Sequence, residues 1–546
     1  MIYQLEQFFR RCRCYLSRNE WLLRLLSLPV YPQEKSEYES GLIIIQVDGL
    51  SYHQLTSAID HGNMPFLKKL LFKECYRLHH LYSGLPSSTP AVQAELFYGV
   101  KNCVPAFSFR SHKDHRIVTM LEPQAVIDIE KKLSSQGEPL LKEGSSYANI
   151  YSGGAGETHF CSTSIGWSHF VRQFSLVKTV MFILLNIYSV LRMITLIIVE
   201  FFLAIIDFFR GTIFRRHDLL KELTFILTRV GICIGLRELV TVGVKLDTLR
   251  GLPVIHANFL GYDEQAHRRG PQSKFAHWSL KGIDNAIKRI WQTAQRSPYR
   301  DYDLWVYSDH GQEHTLPYPK KFGSTIEYEV EKIFSELSMA TIEPKSVTPQ
   351  SISSINSEQT QRIQLLGSKR LQKIMRTNKL QTVVDDQTRP TTIAMGPIGF
   401  IYSPYPLSPS LKEEIAVQLI KSTHIPLVMC LHDINSQSQQ VRVWLAEGEF
   451  YLPSDKEHII GADHPFLDEV TKDLISLCQH PDVGDWVFSG WRAYGQPYSF
   501  PIENGAHAGP GFEETHAFAF FKTAAITNIK RSSPCKREKV IACYDL

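Results

Sequence analysis

Three largely apolar runs, each closing on acidic or imidazole side chains, restrict this chain more than any other feature. Gly41 to Ser51 reads GLIIIQVDGLS, Gly251 to His267 reads GLPVIHANFLGYDEQAH, and Asp303 to His314 reads DLWVYSDHGQEH. A strand with one wet face alternates apolar and polar residues, whereas a strand that is apolar almost throughout is buried on both faces, as in parallel sheets covered by helices. Ligand sites in such sheets sit at the carboxyl ends of the strands. There the three runs deliver Asp48, then Asp263 with His267, then Asp309 with His310. Three such ends converging would make one site.

Helical patterns lie between the runs. Gln272 to Arg296 places Phe275, Leu280, Ile283, Ile287 and Trp291 on a shared face, and Ser324 to Leu337 forms a shorter helix. Strand patterns resume at TTIAMGPIGFIY, IPLVMCLH and QVRVWLAEGEFYL and end with HAFAFF, His516 to Phe521. The expectation is an α/β fold with a central, mostly parallel sheet, helices on both of its faces, a helical insertion and a smaller cap insertion. The chain then divides into an amphipathic segment 1–40, a catalytic α/β domain in three parts (41–169, 251–319 and 392–527), a hydrophobic insertion 170–250, an irregular or cap insertion 320–391, and a basic tail 528–546.

With 546 residues, 44% hydrophobic and 21% charged, the chain can bury a large core. A net charge of +4 is small for this length and argues against a nucleic-acid duplex as partner. The ten cysteines include no CxxC pair and suit reduced, structural thiols. At the N-terminus the bases Arg10, Arg11 and Arg13 precede no clean apolar core, so no cleavable signal peptide is read and a cytoplasmic or peripheral-membrane location is expected.

Lys178 to Arg210 stands apart. Its longest charge-free run, Thr179 to Leu191, is short of the roughly 20 residues a spanning helix needs. Lys178, Ser189, Arg192, Glu200 and Asp207 fall on one narrow arc of a helix. One long helix with a polar stripe is expected, lying on a membrane surface or packed against protein.

SGLPSSTPAVQAELFYG, Ser83 to Gly99, sets three hydroxyls before a proline. Capping explains it, with Thr89 as N-cap, Pro90 as first helical residue, Ala91, Val92, Ala94, Leu96 and Phe97 on the buried side and Gly99 as the stop. The same helix start also favours phosphate or a developing alkoxide.

Asp263 and His267 stand four apart, so one helical turn aims both at one point. Asp309 and His310 follow a strand directly, and His507 lies in the glycine-flanked NGAHAGP. With Asp48 the set is three Asp and three His, the mixed oxygen and nitrogen donors that suit paired Zn²⁺, or Zn²⁺ with another divalent ion. Singly, each piece reads as a turn, a surface pair or a loop histidine. Together, in this order and around a hydroxyl cluster, they do not.

The order Asp48, Thr89, Asp263-x-x-x-His267 followed by GP, Asp309-His310-Gly311, and a late Gly-x-His507 resembles the alkaline phosphatase superfamily, and within it the type I phosphodiesterase / nucleotide pyrophosphatase branch. The resemblance implies an alkaline-phosphatase-like sheet. It implies that Asp263, His267 and His507 hold one metal ion and that Asp48, Asp309 and His310 hold the other, with Thr89 between them as nucleophile and metal ligand. The activity it implies is two-metal hydrolysis of phosphodiesters or nucleotide pyrophosphates through a phosphothreonine. Transfer of a phosphoryl-alcohol head group to a lipid or glycan, phosphomonoester hydrolysis, and a binding protein with a retired site are the alternatives. The expected substrate is a phosphate-ester small molecule or a lipid. The branch carries an aromatic residue and then Pro-Asn after its nucleophile, with the Asn on the phosphoryl oxygens; here Pro-Ala-Val follows Thr89. The usual His-Gly of the last loop is His507-Ala508. Ser88 offers a second hydroxyl, with Thr89 in the better register. Sulfatases need Cys or Ser before x-Pro-x-Arg, and CVPAF at Cys103 lacks the arginine; the cofactor-independent phosphoglycerate mutases place their serine in a different acidic context.

Overall fold

The computed structural model describes residues 28–31, 40–163, 180–181, 184, 187–213, 231–337, 389–432, 440–522 and 541–542. Most of the N-terminal amphipathic segment, of the 320–391 insertion and of the basic tail lies outside the described residues.

The principal strands are β1 (Gly41–Val47), β2 (Tyr76–Tyr82), β3 (Ser145–Tyr147), β4 (Glu157–His159), β5 (Val254–Phe259), β6 (Tyr302–Tyr307), β7 (Thr391–Met395), β8 (Ile398–Tyr402), β9 (Leu427–Leu431), β10 (Val441–Leu445), β11 (Gly448–Leu452), β12 (Trp486–Ser489), β13 (His516–Lys522) and β14 (Ile541–Ala542). Eight form the central sheet in the order β14-β2-β13-β6-β1-β5-β3-β4. β1 pairs in parallel with β5 and β6, and β13 runs antiparallel to β6 and β2. The expected mostly parallel sheet is therefore present. β7 to β12 form a second, antiparallel sheet in the order β7-β8-β12-β9-β10-β11.

Burial on both faces explains the apolar runs. Ile43, Ile45 and Val47 of β1 enter one core with the helices α1 (Tyr52–Asp60) and α2 (Pro65–Lys73), while Ile44 enters a second with Val92 of α3 (Thr89–Tyr98). The first core also takes Val240 and Val244 of α5 (Arg237–Arg250), Ala266 of α6 (Gly261–Arg269) and Ile283, Ile287 and Ile290 of α7 (Lys274–Ala294). On the other side α3 packs toward the second sheet, where Phe97 shares a cluster with Met395, Phe400 and Met429. Asp284 of α7 supplies the cap that α2 lacks locally, accepting from Phe66 N at 2.9 Å and Leu67 N at 3.0 Å.

The hydrophobic insertion contributes α4 (Ile187–Ile213), one continuous helix of 27 residues, as its pattern predicts. Among the described residues no helix is long and apolar enough to cross a membrane.

Candidate metal centre

Register brings the three parallel strand ends level: Val47 pairs with Phe259 and Gln46 with Tyr307, so Asp48, the turn before Asp263, and Asp309 leave the sheet along one edge. β13 contributes from the opposite direction. Because it is antiparallel, its first residue, His516, pairs with Tyr82 at that same edge, and the loop before it carries His507 there. All six predicted ligands are buried, with Asp48, Asp309 and His310 fully so.

His310 Nε2 lies 3.6 Å from Asp48 Oδ1 and 3.4 Å from Asp309 Oδ2. His267 Nε2 is 3.4 Å and His507 Nε2 3.9 Å from Asp263 Oδ1. Among the six predicted ligands, two groups of three hold their ligand atoms within 4.8 Å of one another, namely Asp48, Asp309, His310 and Asp263, His310, His507. His310 thus belongs to both, its ring stacked on that of His507 at 3.7 Å, while His267 approaches the second group through Asp263. Gly49 is required here: it holds φ +73°, and a Cβ on it would stand 2.6 Å from Asp263 Oδ1.

Backbone carbonyls fix the outer imidazole nitrogens. His267 Nδ1 faces Gly505 O at 3.0 Å, His310 Nδ1 faces Gly311 O at 2.9 Å, and His507 Nδ1 faces Ser87 O at 2.9 Å. A donor proton on Nδ1 leaves Nε2 as a free base, the tautomer a metal ligand needs. Sequence reasoning missed the supporting polar groups. Asn258 Nδ2 donates to Asp48 Oδ2 at 2.9 Å, Gln312 Nε2 donates to Asp263 Oδ1 at 2.6 Å, and Glu503 Oε2 lies 3.6 Å from His267 Nδ1. A signal existed for Asn258, since a polar residue inside a doubly buried strand must be held by something buried.

The donors fit divalent cations. Among the described residues, Asp309 Oδ2 and His267 Nε2 are buried without a hydrogen-bond partner, as the ligand atoms of a cation site would be. Burial and the Asp263 carboxylate both raise the Asp309 pKa above the ordinary carboxylate range. Burial opposes a charge on His267, yet Asp263 and Glu503 outweigh it and hold the imidazole well above its usual range. Both shifts mark a pocket with more negative charge than it can accommodate alone.

At the hydroxyl cluster the structure corrects the capping reading. Ser88, not Thr89, is the N-cap, and its side chain makes no capping bond. Thr89 opens the helix with its Oγ1 3.5 Å from Asp48 Oδ1 and 3.4 Å from His310 Nε2. Ser87 Oγ is turned to the His507 loop, donating to Gly509 O at 3.1 Å and accepting from Ala508 N at 3.0 Å. Contacts with distant segments of the same chain claim two of the three hydroxyls before the helix can use them. Val92, Ala94 and Phe97 are buried as expected, Ala91 and Leu96 only partly, and Gly99 ends the helix at φ +69°. Ala508, where the resemblance leads one to expect glycine, holds φ +100°, a conformation costly for a residue with a Cβ.

Fold and site together define an α/β protein with buried carboxylate and imidazole groups, able to take metal ions, along the edge of a mostly parallel sheet. A family model described as Type I phosphodiesterase / nucleotide pyrophosphatase matches residues 246–382, which bears out the resemblance carried by the motifs and points to phosphoester hydrolysis. The match includes Asp263, His267, Asp309 and His310; the fold brings Asp48, Thr89 and His507 to them from outside it. Among solved structures, the chain is similar to phosphonoacetate hydrolase from Sinorhizobium meliloti 1021 in complex with phosphonoformate (14% identity, TM-score 0.42) and with phosphonoacetate (12%, 0.40), each alignment covering 91% of this chain and 93% of the other. No curated protein sequence matches it.

Proposed function

We propose that this protein hydrolyses phosphodiesters or nucleotide pyrophosphates with Thr89 as nucleophile and two divalent cations as cofactors, Zn²⁺ at one site at least. One observation carries the reading: the Thr89 hydroxyl, freed from capping, stands within 3.5 Å of both Asp48 and His310 at the start of a helix. In this reading Asp48, Asp309 and His310 hold one ion, and Asp263, His267 and His507 the other. Such a pair, when bound, lowers the pKa of a neighbouring hydroxyl and neutralises charge on phosphoryl oxygens.

The chain's own residues do the rest. Thr89 Oγ1 gives up its proton and forms a bond to phosphorus as the bond to the leaving alcohol or phosphate breaks, and the leaving group takes up a proton. Water then adds to phosphorus, Thr89 leaves with a proton restored, and the hydrolysed phosphate is released. The N-terminus of α3 places its positive end at the phosphate. Ser88 Oγ is buried beside Thr89 with no hydrogen-bond partner among the described residues, and in our reading it donates to a phosphoryl oxygen where the branch's Asn is missing.

A substrate labelled in its phosphoryl group and quenched in acid tests this. Label is expected on the peptide carrying Thr89; turnover with no labelled peptide would remove the covalent route. A panel of aryl phosphodiesters, nucleotide diesters and monoesters with Zn²⁺, run with and without an alcohol acceptor, separates hydrolysis from head-group transfer.

A further inference from the structure

The long helix of the insertion sits the wrong way round. A surface helix ordinarily turns its apolar side to the core. α4 instead turns a polar residue inward: Arg192 Nη1 donates to Asn285 Oδ1 of α7 at 2.7 Å. Outward it presents Leu184, just ahead of the helix proper, then Ile187, Leu191, Ile194, Ile198 and Phe201, between 44% and 62% exposed and spaced by alternating steps of three and four. Phe202, 59% exposed, widens the stripe. So large a contiguous apolar surface marks an interaction site.

We infer that this face docks on the surface of an anionic lipid bilayer. The three-and-four spacing would also suit a second copy of the helix, but paired helices carry charged residues beside the seam to fix partner and register. Here the positions directly beside the seam, Tyr188, Val190, Thr195, Ile197, Phe202 and Ala204, carry no charge. A broad apolar band without directional flanks fits a fluid hydrocarbon boundary better than a partner helix. Charge points the same way, because residues 170–230 contain eight Lys and Arg against four Asp and Glu, an excess equal to the whole chain's +4. Bases flanking an interfacial helix, here Lys178, Arg210, Arg215 and Arg216, are attracted to anionic headgroups. The inference is independent of the reading of the metal centre.

The test is co-sedimentation of the full chain with phosphatidylcholine vesicles and with vesicles that also contain phosphatidylglycerol. We expect binding to the anionic vesicles that weakens in high salt. The double variant Leu191→Glu, Ile198→Glu changes only exposed positions and should lower the partition coefficient roughly tenfold or more, with circular dichroism and turnover of a soluble substrate unchanged. Equal sedimentation of variant and wild type, or no binding of wild type to either vesicle, overturns the inference. Velocity sedimentation showing a lipid-free dimer that the variant dissolves, without vesicle binding, would assign the face to a second copy instead.

Discussion

Gln93, one turn into the helix that Thr89 opens, donates through Nε2 to Gln46 Oε1 at 2.9 Å, and Gln46 lies in β1 two residues before Asp48. The bond sets the helix against the strand and so sets the Thr89 hydroxyl against the Asp48 carboxylate. Gln93 also donates to Asn149 Oδ1 at 3.0 Å and accepts from Ile150 N at 2.9 Å. Gln93→Leu removes the partners of Asn149 Oδ1 and Ile150 N and one of the two donors to Gln46 Oε1, the other being Tyr307 OH, costing about 1–3 kcal/mol. It should lower kcat more than it raises KM, since it moves the nucleophile rather than the substrate contacts. Unfolding curves and steady-state kinetics check both; a less stable variant with unaltered kcat would deny Gln93 this positioning part.

Thr89→Ala should reduce turnover roughly 10³-fold or more, as loss of a nucleophile does. Its stability should change by less than about 1 kcal/mol, because no capping bond is lost and the side chain's two polar contacts are long. Combining it with Ser88→Ala excludes rescue by the neighbouring hydroxyl. Persistent turnover in the double variant would rule out both residues as nucleophile.

Treatment with a chelator should abolish hydrolysis and lower Tm, and Zn²⁺ should restore both, because cations relieve the crowding of Asp48, Asp263 and Asp309. Asp309→Asn and His507→Ala each alter one predicted ligand set and should lower the bound metal measured by elemental analysis. Full activity in metal-depleted protein would contradict the reading of the centre.

Three buried imidazoles predict acid sensitivity. Burial lowers His256 to about 3 and His464 to about 4; burial, with His80, His53 and His464 adding to it, lowers His516 to about 3. In the unfolded chain each returns to about 6.5. Between roughly pH 6.5 and 4 the unfolded state therefore binds protons at these imidazoles that the folded state refuses, and their contribution to stability falls as pH falls, by up to about 1.4 kcal/mol per pH unit for each group. The buried carboxyls Glu313 and Glu514, raised by burial to about 7 and about 8, act in the opposite sense, so the measurement is the difference between His256→Gln and the wild type in urea unfolding across that range, where the variant should lose less stability, or gain more, on acidification. An unchanged slope in the variant would mean that His256 does not contribute.

Asp284→Ala removes both bonds to the start of α2 and should destabilise the protein by about 1–3 kcal/mol. Thermal melts measure it. Phosphoester turnover at moderate temperature should be unaffected, because Asp284 caps a helix on the covered face of the sheet and touches none of the predicted ligands.

By itself the sequence determined the strand ends and the residue types that gather on them. A strand buried on both faces has to be apolar along its length, so Asp48, Asp263 and Asp309 stand out where those runs stop. It also settled the extent of α7 and the existence of α4, since both follow from helical periodicity. What only the tertiary structure decided depends on contacts between segments far apart in the chain: that His310 is common to both groups, that Asn258 and Gln312 hold the carboxylates, that the hydroxyl of Thr89 faces Asp48 instead of capping its helix, and that Arg192 of α4 reaches Asn285 of α7. Packing and strand register choose those partners, and neither leaves a local pattern in the sequence.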